Sequence, residues 1–345
     1  MGVTAHRSHS CRRSGASWAA SFSSLCEALV WRWPTRRSPH CQIDQGAVAP
    51  PSPTLPPSSG KGVCVCLLGF ALALAAPAHA ADIPATFSGG LIFVHASIGN
   101  GPPGLFLLDT GAGVTILDAR FAAAAQVKLG DPIELMGGGG GTGARRAENV
   151  RLILAGGAID AAVDPTVASL AQIGQGMRTH LDGILGDDLL RRYVVTLDYR
   201  SGVVRLDPPG AAAPPADAVR MGGLQLPFVS ARVKQGGRDA TADFQIDTGS
   251  NTAIELWAPF ARQAFPDAPV TPGAGMGVGG YTMTERGRLD ALVVAGHTIT
   301  SPVANFADKT VPDDAGPADG GVIGGPAWQG LSLTLDFPHR RVWLR

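Results

Sequence analysis

The tripeptide Asp-Thr-Gly occurs twice in this chain, at residues 109–111 and again at residues 247–249. Each copy ends a short apolar stretch, so each aspartate is expected at the end of a buried strand. Two carboxyls that lie close together cannot both ionise, and such a pair shares a proton and can act as acid and base. The repeat therefore indicates a carboxylate dyad formed by Asp109 and Asp247.

The two tripeptides belong to a longer repeat in which equivalent residues are 138 positions apart, as 109 and 247 are. The segment Ile184-Leu185-Gly186 returns as Val322-Ile323-Gly324, and Thr196 of Thr-Leu-Asp-Tyr returns as Thr334 of Thr-Leu-Asp-Phe. Such a repeat indicates a duplicated structural unit with almost no net insertion between the anchors. A single Asp-Thr-Gly is typical of an ordinary turn, but a turn does not explain a second copy in register.

Short apolar runs separated by Gly, Pro and Asn fill both copies and predict an all-β barrel or sandwich. The clearest predicted strands are residues 91–98, 105–108, 150–154, 194–197 and 203–206. Helix is predicted only for short segments at residues 121–126, 187–192 and 257–265. Glycine-rich segments at residues 137–143 and 275–280 each precede an apolar run and predict hairpins with mobile tips.

The repeat predicts two lobes, residues 81–206 and residues 224–345, joined by a Pro/Ala-rich linker at residues 207–223. In each lobe the glycine of the tripeptide lets the backbone turn sharply, and the threonine hydroxyl can bond neighbouring backbone groups. If the lobes pack about a pseudo-twofold axis, the two aspartates face each other across it. Because such a pair titrates as a unit, the sequence assigns the role of base to neither residue.

These motifs resemble those of the aspartic peptidases of the retropepsin-like and pepsin-like superfamily. Residues 182–190, Asp-Gly-Ile-Leu-Gly-Asp-Asp-Leu-Leu, and residues 195–199, Val-Thr-Leu-Asp-Tyr, are similar to the bacterial retropepsin-like aspartyl proteases. The resemblance covers about residues 83–345. It implies an all-β fold of two homologous closed-barrel lobes related by a pseudo-twofold axis, with few short helices.

The resemblance also implies roles for the repeated residues. Asp109 and Asp247 would be the catalytic pair, supported by the loops Thr110-Gly111-Ala112 and Thr248-Gly249-Ser250, with Thr110 and Thr248 exchanging hydrogen bonds between lobes. The segments Ile184-Leu185-Gly186 and Val322-Ile323-Gly324 would thread a ψ-shaped loop behind each aspartate. A flap would close over the substrate, and its candidate residues are Gly140, Gly141, Gly280 and Tyr281. A tyrosine at position 281 is equally typical of an exposed hairpin residue.

Two positions depart from the pattern of the superfamily. The residue after the tripeptide is Ala112 in the first copy and Ser250 in the second, whereas the pepsin-like branch carries a hydroxyl there that bonds the outer aspartate oxygen. Losing one donor disfavours the ionised form, so we expect a working pH nearer neutral than in relatives with two hydroxyls. In the second copy Pro326 follows the Val322-Ile323-Gly324 segment and changes how the next helix starts.

Residues 61–80 are expected to be a signal peptide. Lys61 precedes the apolar run 63–76, and Ala78-His79-Ala80 provides an Ala-x-Ala cleavage site. The run is shorter than a membrane span, which needs about 20 residues, so no stable membrane anchor is expected. We interpret residues 1–60 as either a disordered extension or the result of a mis-assigned translation start. The protein is therefore expected to be exported, either to the periplasm or outside the cell.

Composition argues against several other classes of site and partner. The five cysteines all lie at or before residue 66, so the exported chain would have neither a disulfide nor a thiolate nucleophile. Residues 81–345 hold 21 of the 28 basic and 26 of the 28 acidic residues, a balance that argues against a nucleic-acid partner. The histidines at 95, 180, 297 and 339 lack the spacing of metal ligands. We therefore expect no metal and no cofactor.

The expected activity is hydrolysis of peptide bonds by a water activated between Asp109 and Asp247. A peptide or protein substrate would lie extended in the cleft between the lobes. An alternative function is that of a non-catalytic peptide-binding or envelope-scaffold protein that keeps the fold. Pairing of the lobes within one chain predicts a monomer, and an obligate dimer whose lobes pair between chains is the other arrangement that the sequence allows.

Overall fold

The structure is a computed structural model that describes residues 81–223, 225–307 and 320–345. The described residues belong to one structural unit of the chain. The predicted signal peptide at residues 61–80 and the segment at residues 1–60 lie outside the described residues, so the interpretations given to them stay predictions.

Strands hold 53% of the described residues and helices 12%, which confirms the predicted all-β class. The strands are β1 Ala81–Ser88, β2 Leu91–Ile98, β3 Pro103–Leu108, β4 Ile116–Asp118, β5 Leu129–Gly137, β6 Gly140–Ala147, β7 Val150–Leu154, β8 Ile159–Val163, β9 Thr166–Ala168, β10 Gly183–Leu185, β11 Val194–Asp198, β12 Val203–Asp207, β13 Val219–Arg220, β14 Phe228–Gln235, β15 Arg238–Asp247, β16 Ile254–Trp257, β17 Thr271–Gly277, β18 Gly280–Arg288, β19 Ala291–Val294, β20 His297–Thr300, β21 Val303–Ala307, β22 Gly321–Gly324, β23 Ser332–Asp336 and β24 Arg341–Leu344. The α-helices in the described ranges are α1 Ala119–Ala124, α2 Ala171–Met177, α3 Asp187–Leu190 and α4 Ala258–Ala264. Short 3-10 turns span Ala155–Gly157 and Gly325–Trp328.

Most of the elements predicted from local sequence patterns are present in the structure. The strands predicted at residues 91–98 and 150–154 coincide with β2 and β7, and the three predicted helices overlap α1, α3 and α4. The prediction missed α2, whose sequence Ala-Gln-Ile-Gly-Gln-Gly-Met contains two glycines, which are poor helix formers. Burial of Ile173 on this helix supplies the packing that its sequence propensity does not.

The first repeat supplies most of a 15-stranded sheet with the order β13-β24-β23-β11-β12-β1-β2-β3-β10-β4-β9-β6-β5, to which β7 and β8 are added beside β2. In this sheet β3 runs parallel to β10, and β10 is antiparallel to β4. The parallel pairing brings the end of β3, and with it Asp109, beside the end of β10.

The second repeat forms a 9-stranded sheet with the order β17-β18-β21-β16-β22-β15-β14-β19-β20. Here β15 runs parallel to β22, and β22 is antiparallel to β16, so the three strands repeat the arrangement of β3, β10 and β4. Among the described residues, the strand order of each sheet runs between two edge strands. The closed barrels that the resemblance implies therefore stay a prediction.

A shared set of strands joins the ends of the two repeats. β11 of the first repeat pairs with β23 of the second, and their register sets Thr196 opposite Thr334 with the two hydroxyl oxygens 3.1 Å apart. The predicted linker at residues 207–223 is not a loop throughout, because Val219–Arg220 forms β13 and pairs with β24. The last strand, β24, thus ties the linker to β23, and β23 joins the second repeat to the first.

One large apolar cluster runs through both repeats, and its largest buried side chains include Trp328, Phe106 and Phe244. The first repeat has a second cluster, which gathers nine buried apolar side chains and includes Leu107 and Ile184. The corresponding cluster of the second repeat is built on only two, Phe228 and Trp257. Apolar burial drives folding in both halves, but the two halves distribute it differently near the aspartates. In the part of the chain that the structure describes, no helix is long and apolar enough to cross a membrane.

Candidate active site

Asp109 and Asp247 lie at the ends of equivalent strands. Asp109 follows β3, and its N–H donates to Leu185 O of β10 at 3.0 Å, while Asp247 ends β15 beside β22. Each carboxylate accepts a hydrogen bond from the glycine N–H of its own tripeptide, at 2.7 Å from Gly111 and 2.8 Å from Gly249. The strands therefore fix the backbone of each aspartate, and the glycine N–H groups orient the carboxyls.

Thr110 and Thr248 hold the two loops together. Thr110 N–H donates to Thr248 Oγ1 and Thr248 N–H donates to Thr110 Oγ1, both at 3.1 Å. Each hydroxyl in turn donates to a carbonyl of the other repeat, Thr110 to Ile246 O at 2.7 Å and Thr248 to Leu108 O at 2.9 Å. Both threonines are fully buried. This is the exchange that the resemblance predicts, and it satisfies polar groups that burial would otherwise leave without a partner.

The carboxyls of Asp109 and Asp247 are hydrogen-bonded to each other and line the floor of a cleft. A side chain on Gly111 would collide with the Asp247 carboxyl, and a side chain on Gly249 would collide with the Asp109 carboxyl. The glycine of each tripeptide is therefore required by the close approach of the opposite aspartate. This reason adds to the sharp turn that the sequence predicted for these glycines.

The surroundings of the pair favour a bound proton. Removal from water raises the pKa of both carboxyls, because burial disfavours their charged form. The negative charge of Asp109 raises the pKa of Asp247 further. Hydrogen bonds to Asp109, first from Asp247 and then from nearby backbone N–H groups, lower the pKa of Asp109 in part. The pair thus keeps a proton at pH values where an isolated aspartate is ionised, as a shared-proton acid–base pair requires.

The residues after the tripeptides give the two loops different side chains. Ala112 has no side-chain donor, whereas the Ser250 hydroxyl accepts a hydrogen bond from Thr252 N–H at 3.4 Å. A bond from the Ser250 hydroxyl to Asp247 stays a prediction, as does its effect on the working pH.

The segments predicted to thread behind the aspartate loops lie beside those loops, within β10 and at β22. Leu185 and Ile323 are buried, and any side chain on the glycine that follows them would collide with the aspartate loop: Gly186 with the backbone of Ala112, and Gly324 with the backbone of Ser250. Glycine is therefore required at the last residue of each segment, because two backbones pack closely there.

Two acidic residues that sequence reasoning did not single out follow the first of these segments. Asp188 Oδ1 accepts hydrogen bonds from Thr115 N–H at 2.8 Å and from the Thr115 hydroxyl at 2.7 Å. Asp187 is buried, neither of its carboxyl oxygens has a hydrogen-bond partner in the described residues, and Arg191 Nη1 lies 3.7 Å from Oδ2. Burial raises the pKa of Asp187 to about 6. The Asp doublet is visible in the sequence, but Thr115 is 73 positions away and only the fold pairs it with Asp188.

The second repeat has no such acidic pair, because Gly325 and Pro326 stand at the equivalent positions. A 3-10 turn at Gly325–Trp328 takes the place of α3. This difference agrees with the expectation that Pro326 alters the start of the helix, since proline is accepted in a first turn but lacks the N–H that a longer helix uses.

Two hairpins, β5–β6 and β17–β18, cover the cleft and touch at their tips. Gly139 N–H donates to Val278 O at 2.8 Å, and the Thr282 hydroxyl donates to Gly138 O at 2.8 Å. The backbones at Gly139 and Gly279 pack against the opposite tip so closely that neither position has room for a side chain. The glycine-rich segments predicted as hairpin tips are therefore hairpin tips, and glycine permits their mutual contact.

The four flap candidates all lie in these hairpins. Gly140 and Gly280 begin β6 and β18 at the touching tips, with φ of 112° and 133°, values that favour glycine. Gly141 is the next residue of β6. Tyr281 has 74% of its surface exposed, yet it also lines the cleft. Both interpretations of Tyr281, as a flap aromatic and as an exposed hairpin residue, thus keep support.

The cavity between the aspartates and the hairpins has a volume of about 640 Å³. This volume lies within the range of sites that bind small ligands or a few peptide residues. Both repeats contribute to its walls, and Val278 at the tip of the second hairpin packs against the second apolar cluster of the first repeat. A ligand in the cavity would therefore contact both aspartates and both hairpins.

Within residues 81–223, 225–307 and 320–345, no three His, Cys, Asp or Glu side chains gather as the ligands of a metal would. No protein-family model and no curated protein matches the chain.

Proposed function

We propose that the protein is an aspartic endopeptidase in which Asp109 and Asp247 activate a water for attack on a peptide bond. The observation that carries this proposal is the direct hydrogen bond between the two carboxyls at the floor of a cleft, with burial raising the pKa of both. A shared proton lets one carboxyl act as base while the other acts as acid in the same step.

The proposal includes two lobes related by a pseudo-twofold axis, each a closed barrel. Two contacts support the axis, because in each of them a residue meets its own counterpart 138 positions on: Thr110 meets Thr248, and Thr196 meets Thr334. Self-paired contacts of this kind are expected only for residues that lie on or next to a twofold axis. Both carboxyls come from one chain, so the active species is a monomer.

In the proposed mechanism, the ionised carboxyl of the pair removes a proton from the attacking water. The protonated carboxyl donates a hydrogen bond to the carbonyl oxygen of the substrate and stabilises the negative charge that develops there. The proton taken from the water can then pass to the leaving nitrogen, which returns the pair to its starting charge. The Thr110–Thr248 bonds keep the carboxyls in the geometry that these transfers need.

The substrate is a peptide or an unfolded segment of a protein. The cleft is roofed by hairpin tips whose backbone groups can bond an extended chain in the manner of an added strand. The acid–base pair supplies the chemistry without a cofactor. We further propose that the protein acts in the periplasm or outside the cell, as the predicted signal peptide at residues 61–80 implies.

A peptide digest tests the proposal. The purified full-length chain is incubated with a diverse peptide mixture from about pH 3 to pH 8, a span that covers both limbs of a carboxyl-pair profile, and the products are read by mass spectrometry. Wild type should cleave peptides, and Asp109→Asn and Asp247→Asn should each lose cleavage. The matched control is Asp267→Asn, which removes an exposed carboxyl paired with Arg238 away from the cleft.

Cleavage that survives either cleft variant would overturn the proposal. Peptide binding without cleavage at any pH would do so as well and would favour the non-catalytic peptide-binding alternative. Folding of each variant is checked by its thermal unfolding curve, so that loss of structure is not mistaken for loss of the dyad.

A further inference from the structure

Each repeat presents a row of three side chains across its central strands, next to the aspartate. In the first repeat the ladders set Leu107 of β3 and Ile116 of β4 on either side of Ile184 of β10. Residues directly opposite in a ladder point to the same face of the sheet. The Leu107–Ile184–Ile116 row is therefore an entirely aliphatic surface, and all three of its side chains line the cavity.

The equivalent row of the second repeat is polar at both ends. Gln245 of β15 and Glu255 of β16 flank Val322 of β22 in the same two ladder positions. Gln245 is buried, whereas Glu255 is half-buried and lines the cavity. The fold has thus placed a carboxylate where the first repeat has the side chain of Ile116.

The side chains around the two rows keep the same division. Beside the aliphatic row the cavity is lined by Leu91, Ile173 and Met177, which belong to the second apolar cluster of the first repeat or pack against it. Beside the polar row it is lined by Thr252 and Asn305, whose side chains are hydrogen-bonded to each other at 3.0 Å, and by Thr284. The wall next to the aliphatic row is apolar, and the wall next to the polar row carries polar side chains and one carboxylate.

Such a division discriminates between substrate side chains in a predictable way. A large apolar side chain gains most from the first half, where it leaves water and meets aliphatic groups. Covering a half-buried carboxylate with an apolar group removes its remaining water, which costs free energy. Covering it with a cation stabilises it instead, through a charge-assisted hydrogen bond. The negative charge of Glu255 also acts on the dyad, because it contributes to the raised pKa of Asp247.

We propose that the cleft selects peptides with a bulky apolar side chain on one side of the scissile bond and Lys or Arg on the other, and that Glu255 is the specificity-determining residue for the basic side chain. This inference rests on the proposed endopeptidase function. It deepens that function by naming the class of sequence that is cut.

The test begins with the peptide digest of the full-length protein, in which residues around the cut sites are counted. Lys and Arg should be enriched on one side of the cut and aliphatic or aromatic residues on the other. From a well-cleaved peptide, three versions are then made that carry Lys, norleucine or Glu at the enriched position. Wild type should cleave the Lys peptide about tenfold faster in kcat/KM than the norleucine peptide, the ratio expected for one charge-assisted contact.

Three variants locate the source of that ratio. Glu255→Gln keeps the size of the side chain and removes its charge, so the Lys-to-norleucine ratio should fall to near one. Glu255→Ile copies the residue that the first repeat has there, and it should favour norleucine. Glu148→Gln removes an exposed carboxylate between β6 and β7, away from the cavity, and should leave the ratio of wild type. A ratio that is unchanged in Glu255→Gln, or a digest without enrichment of basic residues, would overturn the inference.

A binding measurement separates this inference from the proposed function. Fluorescence anisotropy with the Asp109→Asn variant compares labelled Lys and norleucine peptides, with and without the added Glu255→Gln change. Tighter binding of the Lys peptide that disappears with Glu255→Gln supports the selectivity of the cleft even if wild type cleaves nothing. Equal binding of the two peptides overturns the inference while leaving the catalytic proposal standing, and absence of any binding counts against both.

Discussion

The two repeats hold their aspartate loops with the same backbone contacts but with different side chains. Asp187 N–H donates to Ala112 O at 2.7 Å, and Gly325 N–H donates to Ser250 O at 3.0 Å. The same backbone hydrogen bond thus closes the aspartate loop in each repeat. Only the first repeat adds the bonds from Thr115 to Asp188. The site therefore depends on backbone geometry that both copies retain, while each copy stabilises that geometry with its own side chains.

The largest effect is expected where the two repeats are the same. Gly111→Ala and Gly249→Ala each push a methyl group into the opposite carboxyl, so each should lower kcat/KM by about 100-fold or more, as misplacement of reacting groups by about 1 Å does. Steady-state kinetics on a cleaved peptide measures both. A large loss in one variant with normal activity in the other would show that the two loops do not approach each other symmetrically.

The next effect should appear only in the first repeat and only above acid pH. The folded-state pKa of Asp187 is about 6, above the unfolded value of about 3.9, so the folded protein binds more protons between these values. Its free energy of unfolding therefore falls as pH rises through this window, by up to about 3 kcal/mol in all. Asp187→Asn should match wild type near pH 4 and be more stable by up to that amount near pH 7.5.

Urea unfolding at several pH values measures this difference. Gly325 holds the equivalent position in the second repeat and has no group to titrate, so the whole effect is assigned to one copy. The variant Asp267→Asn, which removes an exposed carboxyl, serves as the control. A stability difference between Asp187→Asn and wild type that stays constant from pH 4 to 7.5 would contradict the prediction.

A smaller effect, on the free energy of unfolding, should distinguish how the two repeats stabilise their aspartate loops. Asp188→Ala leaves the Thr115 N–H and hydroxyl without their acceptor, which should lower the free energy of unfolding by about 2 kcal/mol. Pro326→Ala, at the equivalent position of the second repeat, removes no hydrogen bond of this kind and should change it by less than about 1 kcal/mol. Urea unfolding at neutral pH compares the two variants. Equal losses in the free energy of unfolding would mean that the Thr115–Asp188 contact does not stabilise the loop.

The smallest effect concerns the residue after each tripeptide. Ala112→Ser places a donor next to Asp109 and should move the acid limb of the pH–activity profile towards lower pH by about one unit, the worth of one hydrogen bond to the charged form. Ser250→Ala is the reciprocal variant and should move the same limb towards higher pH. An unchanged acid limb in Ala112→Ser would refute the expectation that the missing hydroxyl sets the working pH.

Features that depend on local pattern or on the repeat could be predicted from the sequence. The bounds of β2 and β7 and the hairpin tips follow from apolar runs and glycine clusters, and the meeting of Thr110 with Thr248 is what the resemblance implied. The helix α2 could not be predicted, because its two glycines lower helix propensity and only tertiary packing restores it. Nor could β13, whose two residues become a strand by pairing with the end of the chain.

The chemistry of the cleft walls was hidden for a different reason. Glu255 and Gln245 reach the same row only because β22, about 70 residues downstream, runs between their strands. No local pattern marks either residue. Asp188 and Thr115 are likewise joined by the fold alone. The repeat thus predicts where the reactive groups lie, but the residues that tune and select around them become visible only when strands are placed side by side.

The pairing of β11 with β23 has a consequence for how activity depends on dilution. Because both aspartates belong to one polypeptide, whose two repeats are joined by the β11–β23 pairing, bringing the aspartates together is a unimolecular process. An enzyme assembled from two chains loses its site as protomers dissociate at low concentration. Under the proposed function, a molecule of this protein should instead keep the same turnover number on dilution, because its site needs no second chain.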